Sequence, residues 1–307
     1  INLNNKPTQI IAQLSDSSYL DFASDIKAYK NNILIADKDN SRIIILDSIL
    51  NVKKTYGRKG RGPGEFHSAS RIALKNDTIY ARDGGNRRLN LFDIKKGYIS
   101  SIKYPGDLRF GHFTNYAFDD GNNLFYSPVH FDSEKPIVKW NIHKNQKTQF
   151  GVTRPDFKNY FSGRRQNYHL VLANDKLYAI GYYCPVIFEY STEGKLINKL
   201  DLSKYNFMEP KIKRAKKEAD EEQRRPLIVF FEDVDYSKGY LYILFVVHEP
   251  KKYTKLLVIN TNSDEIKVNK IINFDHYKNK SYNSFCIYNE KRIILTDLGK
   301  LYVYNLF

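Results

Sequence analysis

The chain has 307 residues, 42% of them hydrophobic and 14% aromatic, and 49 Lys and Arg against 34 Asp and Glu give a formal net charge of +15. This composition excludes a disordered polar chain, and no apolar run is long enough for a membrane-spanning helix. The two cysteines, Cys184 and Cys286, exclude a disulfide framework and read as buried free thiols. Twenty-four Tyr against a single Met suit sheets better than helices.

Position 1 is Ile, as expected of a mature form whose signal or lipid anchor has been removed or lies upstream. Residues 8–14 (Thr-Gln-Ile-Ile-Ala-Gln-Leu) read as a strand with no hairpin partner nearby. A repeated phrase follows. Residues 32–47 run as a short apolar strand ending in Asp37, a turn with Asn40 and Arg42, and a second apolar strand ending in Asp47. Residues 77–93 repeat it, with Asp83, then Asn86, Arg87 and Arg88, then Asp93. Between them, residues 57–66 (Gly-Arg-Lys-Gly-Arg-Gly-Pro-Gly-Glu-Phe) carry four glycines and a proline, which predicts a tight irregular loop.

The strand pattern then recurs in units of four. Unit 1 is expected at 25–29, 33–37, 42–47 and 52–56; unit 2 at 70–74, 78–82, 88–93 and 98–104; unit 3 at 116–118, 123–127, 137–141 and 147–150. Unit 4 is expected at 168–173, 176–180, 186–190 and 196–200, and unit 5 at 227–234, 240–247, 255–260 and 266–274. Unit 6 has only 284–288, 292–296 and 300–304, so the orphan strand at 8–14 supplies its fourth. The fold class predicted is an all-β, six-bladed β-propeller of four-stranded antiparallel blades, its ring closed by the N-terminal strand completing the last blade. It forms a single domain over 1–307. A helical insertion is expected at 209–225, with ion pairs such as Arg214–Glu218 and Glu221–Arg225 and a narrow apolar stripe of Ile212, Ala215 and Ala219. It reads either as a solvated helix resting on the face or as a lid.

Within each unit the strands are named A to D. The A-to-B and C-to-D turns are short, whereas the D-to-A connections (57–69, 105–115, 151–167, 201–226 and 275–283) are long, so elaboration is one-sided.

The motifs at 57–66, at Ile35-Ala-Asp-Lys-Asp-Asn-Ser-Arg42 and at Tyr80-Ala-Arg-Asp-Gly-Gly-Asn-Arg-Arg88 resemble NHL-repeat propellers, and more closely the six-bladed propellers common in Bacteroidetes, often exported lipoproteins. The resemblance is specific in the first two blades and architectural beyond them. It implies an extracytoplasmic location, in the periplasm or anchored to the outer membrane through an N-terminal lipid. It permits lyase activity but fixes no single function.

Several residue sets are candidates for chemistry. The glycines of the 57–66 loop either form a backbone nest for an anion, aided by Arg58, Lys59 and Arg61, or simply connect two blades. Arg42, Arg87 and Arg88 sit at B-to-C turns, where Arg either bridges to a neighbouring blade's Asp or clamps an anion. Arg109, His112, Arg164 and Arg165 lie in long connections and suit an anionic ligand, with Phe110, Phe113, Tyr160, Phe161 and Tyr182 nearby for stacking on sugar rings or packing a peptide. His130, Tyr183 and His248 each follow strand B of their blades and form a weak metal-ligand or acid–base set. Hydrolase and metalloprotease motifs are missing, as is a phosphate-binding P-loop, and no cofactor is implied. The expected function is therefore binding of a protein or an anionic glycan on the long-loop face. The alternative is a lyase or hydrolase at the channel mouth, metal-assisted through His130 and His248. Basic residues do not gather in a run interleaved with aromatics, which disfavours nucleic acid; scattered Lys on sheet edges accounts equally for the positive charge.

Overall fold

The computed structural model describes residues 6–104, 114–128, 134–153, 167–222, 228–247, 253–274 and 282–306. Among these, twenty-four strands form six four-stranded antiparallel sheets. Blade 1 is β2–β5 (Ala23–Tyr29, Asn32–Asp37, Arg42–Leu46, Val52–Tyr56) and blade 2 is β6–β9 (Ala69–Lys75, Thr78–Asp83, Arg88–Asp93, Gly97–Lys103). Blade 3 is β10–β13 (Ala117–Phe118, Asn123–Tyr126, Ile137–Asn141, Gln146–Phe150) and blade 4 is β14–β17 (Tyr168–Ala173, Lys176–Gly181, Val186–Ser191, Leu196–Asp201). Blade 5 is β18–β21 (Asp233–Ser237, Tyr240–Val247, Tyr253–Asn260, Lys267–Asn273) and blade 6 is β22–β24 (Ser284–Tyr288, Arg292–Thr296, Leu301–Asn305) with the N-terminal β1 (Gln9–Ile11). β1 pairs antiparallel with β24, Ile10 opposite Tyr302, as the missing fourth strand of the last unit required.

Two compact units emerge from the contacts. One comprises Asn4–Asp107 and Ser281–Phe307, holding blades 6, 1 and 2; the other comprises Ile1–Leu3 and Leu108–Lys280, holding blades 3, 4 and 5. Strand alternation explains how a blade packs on two neighbours in the first unit. Ile33, Ile35, Ile44 and Leu46 face a cluster shared with Cys286, Ile294 and Val303 of blade 6. Leu34, Ala36, Ile43 and Ile45 face the opposite way, onto Ile79, Ala81 and Phe92 of blade 2. Successive residues of a strand point to opposite sides, so a strand buried on both sides must be apolar throughout, and each such side chain contributes roughly 1.5–3 kcal/mol. The outermost strands carry the charge: Lys53, Lys54 and Thr55 of β5 are exposed.

Turn chemistry fixes the hairpins. Asn76 and Asp77 (φ 48 and 60), Asn174 and Asp175 (φ 50 and 57) and Lys238 and Gly239 (φ 44 and 80) are consecutive left-handed residues, the backbone a tight two-residue hairpin demands and which Asn, Asp and Gly adopt most readily.

Two expectations change. The first strand of blade 5 begins at Asp233 rather than at 227. The apolar run before it is used for packing: Ile228, Phe230 and Phe231 are buried in a cluster with Leu202, Met208 and Ala215. Short helices Leu202–Lys204 and Asn206–Met208 lead into α1 (Glu209–Glu222), which is more deeply seated than a solvated helix. Ala215 is fully buried and Ile212 partly so, while the Arg214–Glu218 pair closes at 2.6 Å as expected. The partner Arg225 lies outside the described residues.

Candidate functional site

The repeated phrase folds into the same device in blades 1 and 2. β3 ends on Asp37 and β4 begins on its register partner Arg42, with Ser41 in the left-handed region (φ 56) turning the chain between them. Asp37 is fully buried and its Oδ2 accepts from Arg42 Nε (2.8 Å) and Asn40 Nδ2 (2.9 Å), its Oδ1 from the Asp21 amide (2.8 Å). In blade 2, buried Asp83 accepts from Arg88 Nε (3.2 Å), Asn86 Nδ2 (2.7 Å) and the amides of His67 (3.0 Å), Ser68 (3.3 Å) and Asn86 (3.3 Å). The spacing Asp-x-x-Asn-x-Arg therefore places a carboxylate under two side-chain donors and under the chain arriving from the previous blade. The arginine pairs with the Asp of its own blade, not of a neighbouring one.

What the arginine does with its remaining donors differs. Arg88 Nη1 donates to Arg61 O (3.1 Å) and Nη2 to Gly62 O and Glu65 O (both 2.7 Å). Asn90 adds a bond to Glu65 O (2.9 Å) and Asn86 one to Gly60 O (2.9 Å). The glycine-rich loop is thus held by its carbonyls. Its nest is filled from within: Glu65 Oε2 accepts the Gly62 amide at 2.8 Å and Oε1 meets Arg58 Nε at 2.9 Å. The Gly62 amide first, then Arg58, holds the Glu65 carboxyl below its usual range. Gly57 (φ +87) is required where a Cβ would lie 2.4 Å from the ring of buried Phe66. Several cationic side chains stand at the surface of this frame. Arg58 is 82% exposed, and Lys59, Arg61 and Arg87 are exposed beside it on the loop and the adjoining turn.

In blade 1, Arg42 Nη2 donates to Tyr19 O (2.8 Å) and Ser18 Oγ (3.3 Å), and Asn40 Nδ2 also reaches Tyr19 O (3.0 Å). Arg42 Nη1 makes no hydrogen bond among the described residues. Instead of a packed loop there is an open cleft of about 580 Å³, lined by Ser18, Tyr19, Leu20, Asp21, Asn40 and Arg42.

The sequence matches the model of a family described as 6-bladed beta-propeller, DUF5128, over residues 13–296. The chain belongs to this family. Among solved structures, it is similar to a protein of Bacteroides fragilis taken to be exported, at 13% identity and a TM-score of 0.64, covering 100% of this chain and 98% of that one. A DUF4221 family member from Bacteroides vulgatus is similar at 12% identity and a TM-score of 0.63, covering 97% and 98%. A streptogramin B lyase follows at 10% identity and a TM-score of 0.56, covering 96% and 98%. These likenesses concern the fold. None of the curated proteins matches.

In this DUF5128 propeller the inner strands carry buried polar groups that the sequence reading passed over. In blades 6, 1 and 2, Asp25 is fully buried; its Oδ2 accepts the Ile72 amide (2.7 Å) and its Oδ1 lies 3.2 Å from Lys27 Nζ and 3.4 Å from Arg71 Nη1 and Ser284 Oγ. In blades 3, 4 and 5, Asn115 Nδ2 donates to Asp233 Oδ1 (2.9 Å), and the Asn115 amide donates to His169 Nδ1 (3.3 Å). His169 Nε2 then faces Phe231 O at 3.1 Å, which suits the Nε2–H tautomer. Asp25, His169 and Asp233 lie within the first three residues of the first strand of their blades and Asn115 just before one; only His169, alone among apolar residues in Tyr-His-Leu-Val-Leu-Ala, left a signal in the sequence.

Of the predicted site residues, Arg61, Arg87 and Arg88 come together at the blade 2 turn and the 57–66 loop, Arg42 lies at the equivalent turn of blade 1, and Tyr183 follows the second strand of blade 4 in the other unit. It is half-buried and edge-on to Tyr182 at 4.7 Å, with Tyr182 beside His169 at 5.4 Å. Arg109, His112, His130, Arg164, Arg165 and His248 lie outside the described residues, as do Phe110, Phe113, Tyr160 and Phe161. Among the described residues no group of three His, Cys, Asp or Glu is placed to hold a metal ion, and Cys184 and Cys286 are free and buried.

Lys211 of α1 was also missed. It is 2% exposed, and its ammonium donates to Val229 O (2.7 Å) and Phe230 O (2.8 Å). Burial pulls its pKa down to about 8, with Glu232 opposing and Arg214 adding to the shift.

Proposed function

We propose that this DUF5128 propeller is an extracytoplasmic binding protein that takes an anionic glycan on the face carrying its D-to-A and B-to-C loops. The observation that carries this reading is the rim of exposed cations, Arg58, Lys59, Arg61 and Arg87, on a loop whose backbone is clamped by Arg88, Asn86 and Asn90. A rigid frame lowers the entropy lost when long basic side chains engage a polyanion. Export belongs to the proposal, supported by the similar fold of the Bacteroides fragilis protein. A lyase reading has the streptogramin B lyase as a fold-level precedent only, and its candidate residues His130 and His248 lie outside the described residues.

The test is binding to polygalacturonate at two salt concentrations. The wild-type protein should bind more weakly as salt rises, because exposed charges are screened. Changing Arg58, Lys59, Arg61 and Arg87 together to Gln should lower affinity by at least about tenfold. An unchanged affinity would remove this placement of the ligand.

A further inference from the structure

We propose that the cleft of blade 1 is a sugar-ring subsite: a pyranose lies against Tyr19, and its hydroxyl or carboxylate oxygens engage Arg42 Nη1 while its hydroxyls donate to Asn40 Oδ1 and Asp21. The inference deepens the glycan reading above but uses residues separate from the cationic rim.

The first support is a large aromatic ring held out in solvent on a backbone tied by hydrogen bonds. Tyr19 is 60% exposed, yet its carbonyl accepts from both Arg42 and Asn40. The flanking chain is fixed as well: the Ser18 amide and hydroxyl donate to Asp16 Oδ1 (3.0 and 2.7 Å), Leu20 is buried, and the Asp21 amide is bound by Asp37. An exposed aromatic on such a segment offers a flat apolar face at little entropic cost.

The second support is the inventory of open polar atoms. Among the described residues, Arg42 Nη1, Asn40 Oδ1, the Asp21 carboxylate and the Tyr19 hydroxyl make no hydrogen bond, and these four residues line one cleft of about 580 Å³. A mixture of donors and acceptors beside an aromatic face matches a sugar, whose ring has an apolar C–H surface and hydroxyls that both donate and accept. A phosphate dianion matches it less well, because it has neither an apolar face for Tyr19 nor hydroxyls to donate to Asp21 and Asn40 Oδ1. The blade 2 counterpart strengthens the point, because there the same fork is fully engaged by the glycine-rich loop. The open fork in blade 1 is therefore a departure from the repeat, not a property of it.

Saturation-transfer difference NMR on the full chain, with methyl glucoside, galactoside, mannoside and glucuronoside at millimolar concentration, tests this. Saturation of the ring C–H protons of at least one sugar is expected. Tyr19→Phe should retain it, Tyr19→Ala should weaken binding by about tenfold or abolish it, and Arg42→Lys should weaken it with the fold intact by circular dichroism. A response confined to the glucuronoside assigns Arg42 to a carboxylate, and a response to neutral sugars assigns it to hydroxyls; both uphold the subsite. No saturation from any sugar, or saturation that survives Tyr19→Ala, overturns it. Sugar saturation that persists when polygalacturonate binding proves insensitive to the rim substitutions separates the two proposals, leaving the cleft standing and the rim refuted.

Discussion

Arg88 and Lys211 do the same structural task in different ways. Each is a cation that ties a long connection to its blades by donating to main-chain carbonyls: Arg88 to Arg61, Gly62 and Glu65, Lys211 to Val229 and Phe230. Arg88 has a buried carboxylate against its Nε, supplied by Asp83. Lys211 has carbonyl partners only, in a setting of Met208, Ala215 and Phe230. The guanidinium is delocalised and pairs with a carboxylate, whereas burial pushes the compact ammonium towards its neutral form, with Glu232 opposing only in part. The polar connection is thus built to stay charged, and the apolar one tolerates a proton that it holds weakly.

The largest effect should come from breaking the polar side of this comparison. Asp83→Ala leaves Arg88 without its carboxylate and strips the partners of the His67, Ser68 and Asn86 amides, so urea unfolding should show a loss of about 4 kcal/mol. A loss below about 1 kcal/mol would mean that the frame around the loop does not depend on its carboxylate.

On the apolar side the expectation concerns pH. The pKa of Lys211 is about 8 in the folded protein and near the ordinary lysine value of 10.5 when unfolded. Between these values the unfolded chain binds the proton and the folded chain does not, so stability rises with pH across that window. Neutral Lys211 keeps two N–H groups, enough for both carbonyls. Urea midpoints should therefore climb from pH 8 to 10, worth about 2–3 kcal/mol, and Lys211→Met should flatten the climb. A flat wild-type profile would place the proton on Lys211 throughout. A smaller loss, about 2 kcal/mol, is expected for Gly57→Ala, which forces a Cβ onto Phe66 at a left-handed position.

The strands, the hairpin turns and the completion of blade 6 by β1 were legible because each rests on residue identity: alternating apolar side chains, Asn-Asp turns, a unit one strand short. The phrase Asp-x-x-Asn-x-Arg was legible as a repeat. Its role was not, because the partners of Arg88 are carbonyls, and a carbonyl looks the same at every position of a sequence. Of the expected stripe of α1, Ile212 and Ala215 pack on the core, but Lys211 beside them was missed. The stripe that packs runs through Met208, Lys211 and Ala215, and a lysine at its centre hides it from a search for apolar spacing. The cleft at Tyr19 was invisible for a third reason, since it arises where the connection into blade 1, residues 12–22, takes up only part of the Arg42 fork that its counterpart in blade 2 takes up completely.

The smallest prediction asks whether the nest filled by Glu65 belongs to the clamp or merely decorates it. The Glu65 carboxyl is held low by the Gly62 amide and by Arg58, and Arg58 is 82% exposed. A carboxylate with a depressed folded pKa adds stability above its unfolded value, near 4.5, and loses it as pH falls through the folded one. Glu65→Gln keeps an acceptor for the Gly62 amide but removes the charge, so it should lag the wild type slightly at neutral pH and converge with it in acid. The carbonyl bonds from Arg88, Asn86 and Asn90 remain untouched by the change, and a loss comparable to that of Asp83→Ala would mean that the loop is held by its own carboxylate instead of by blade 2.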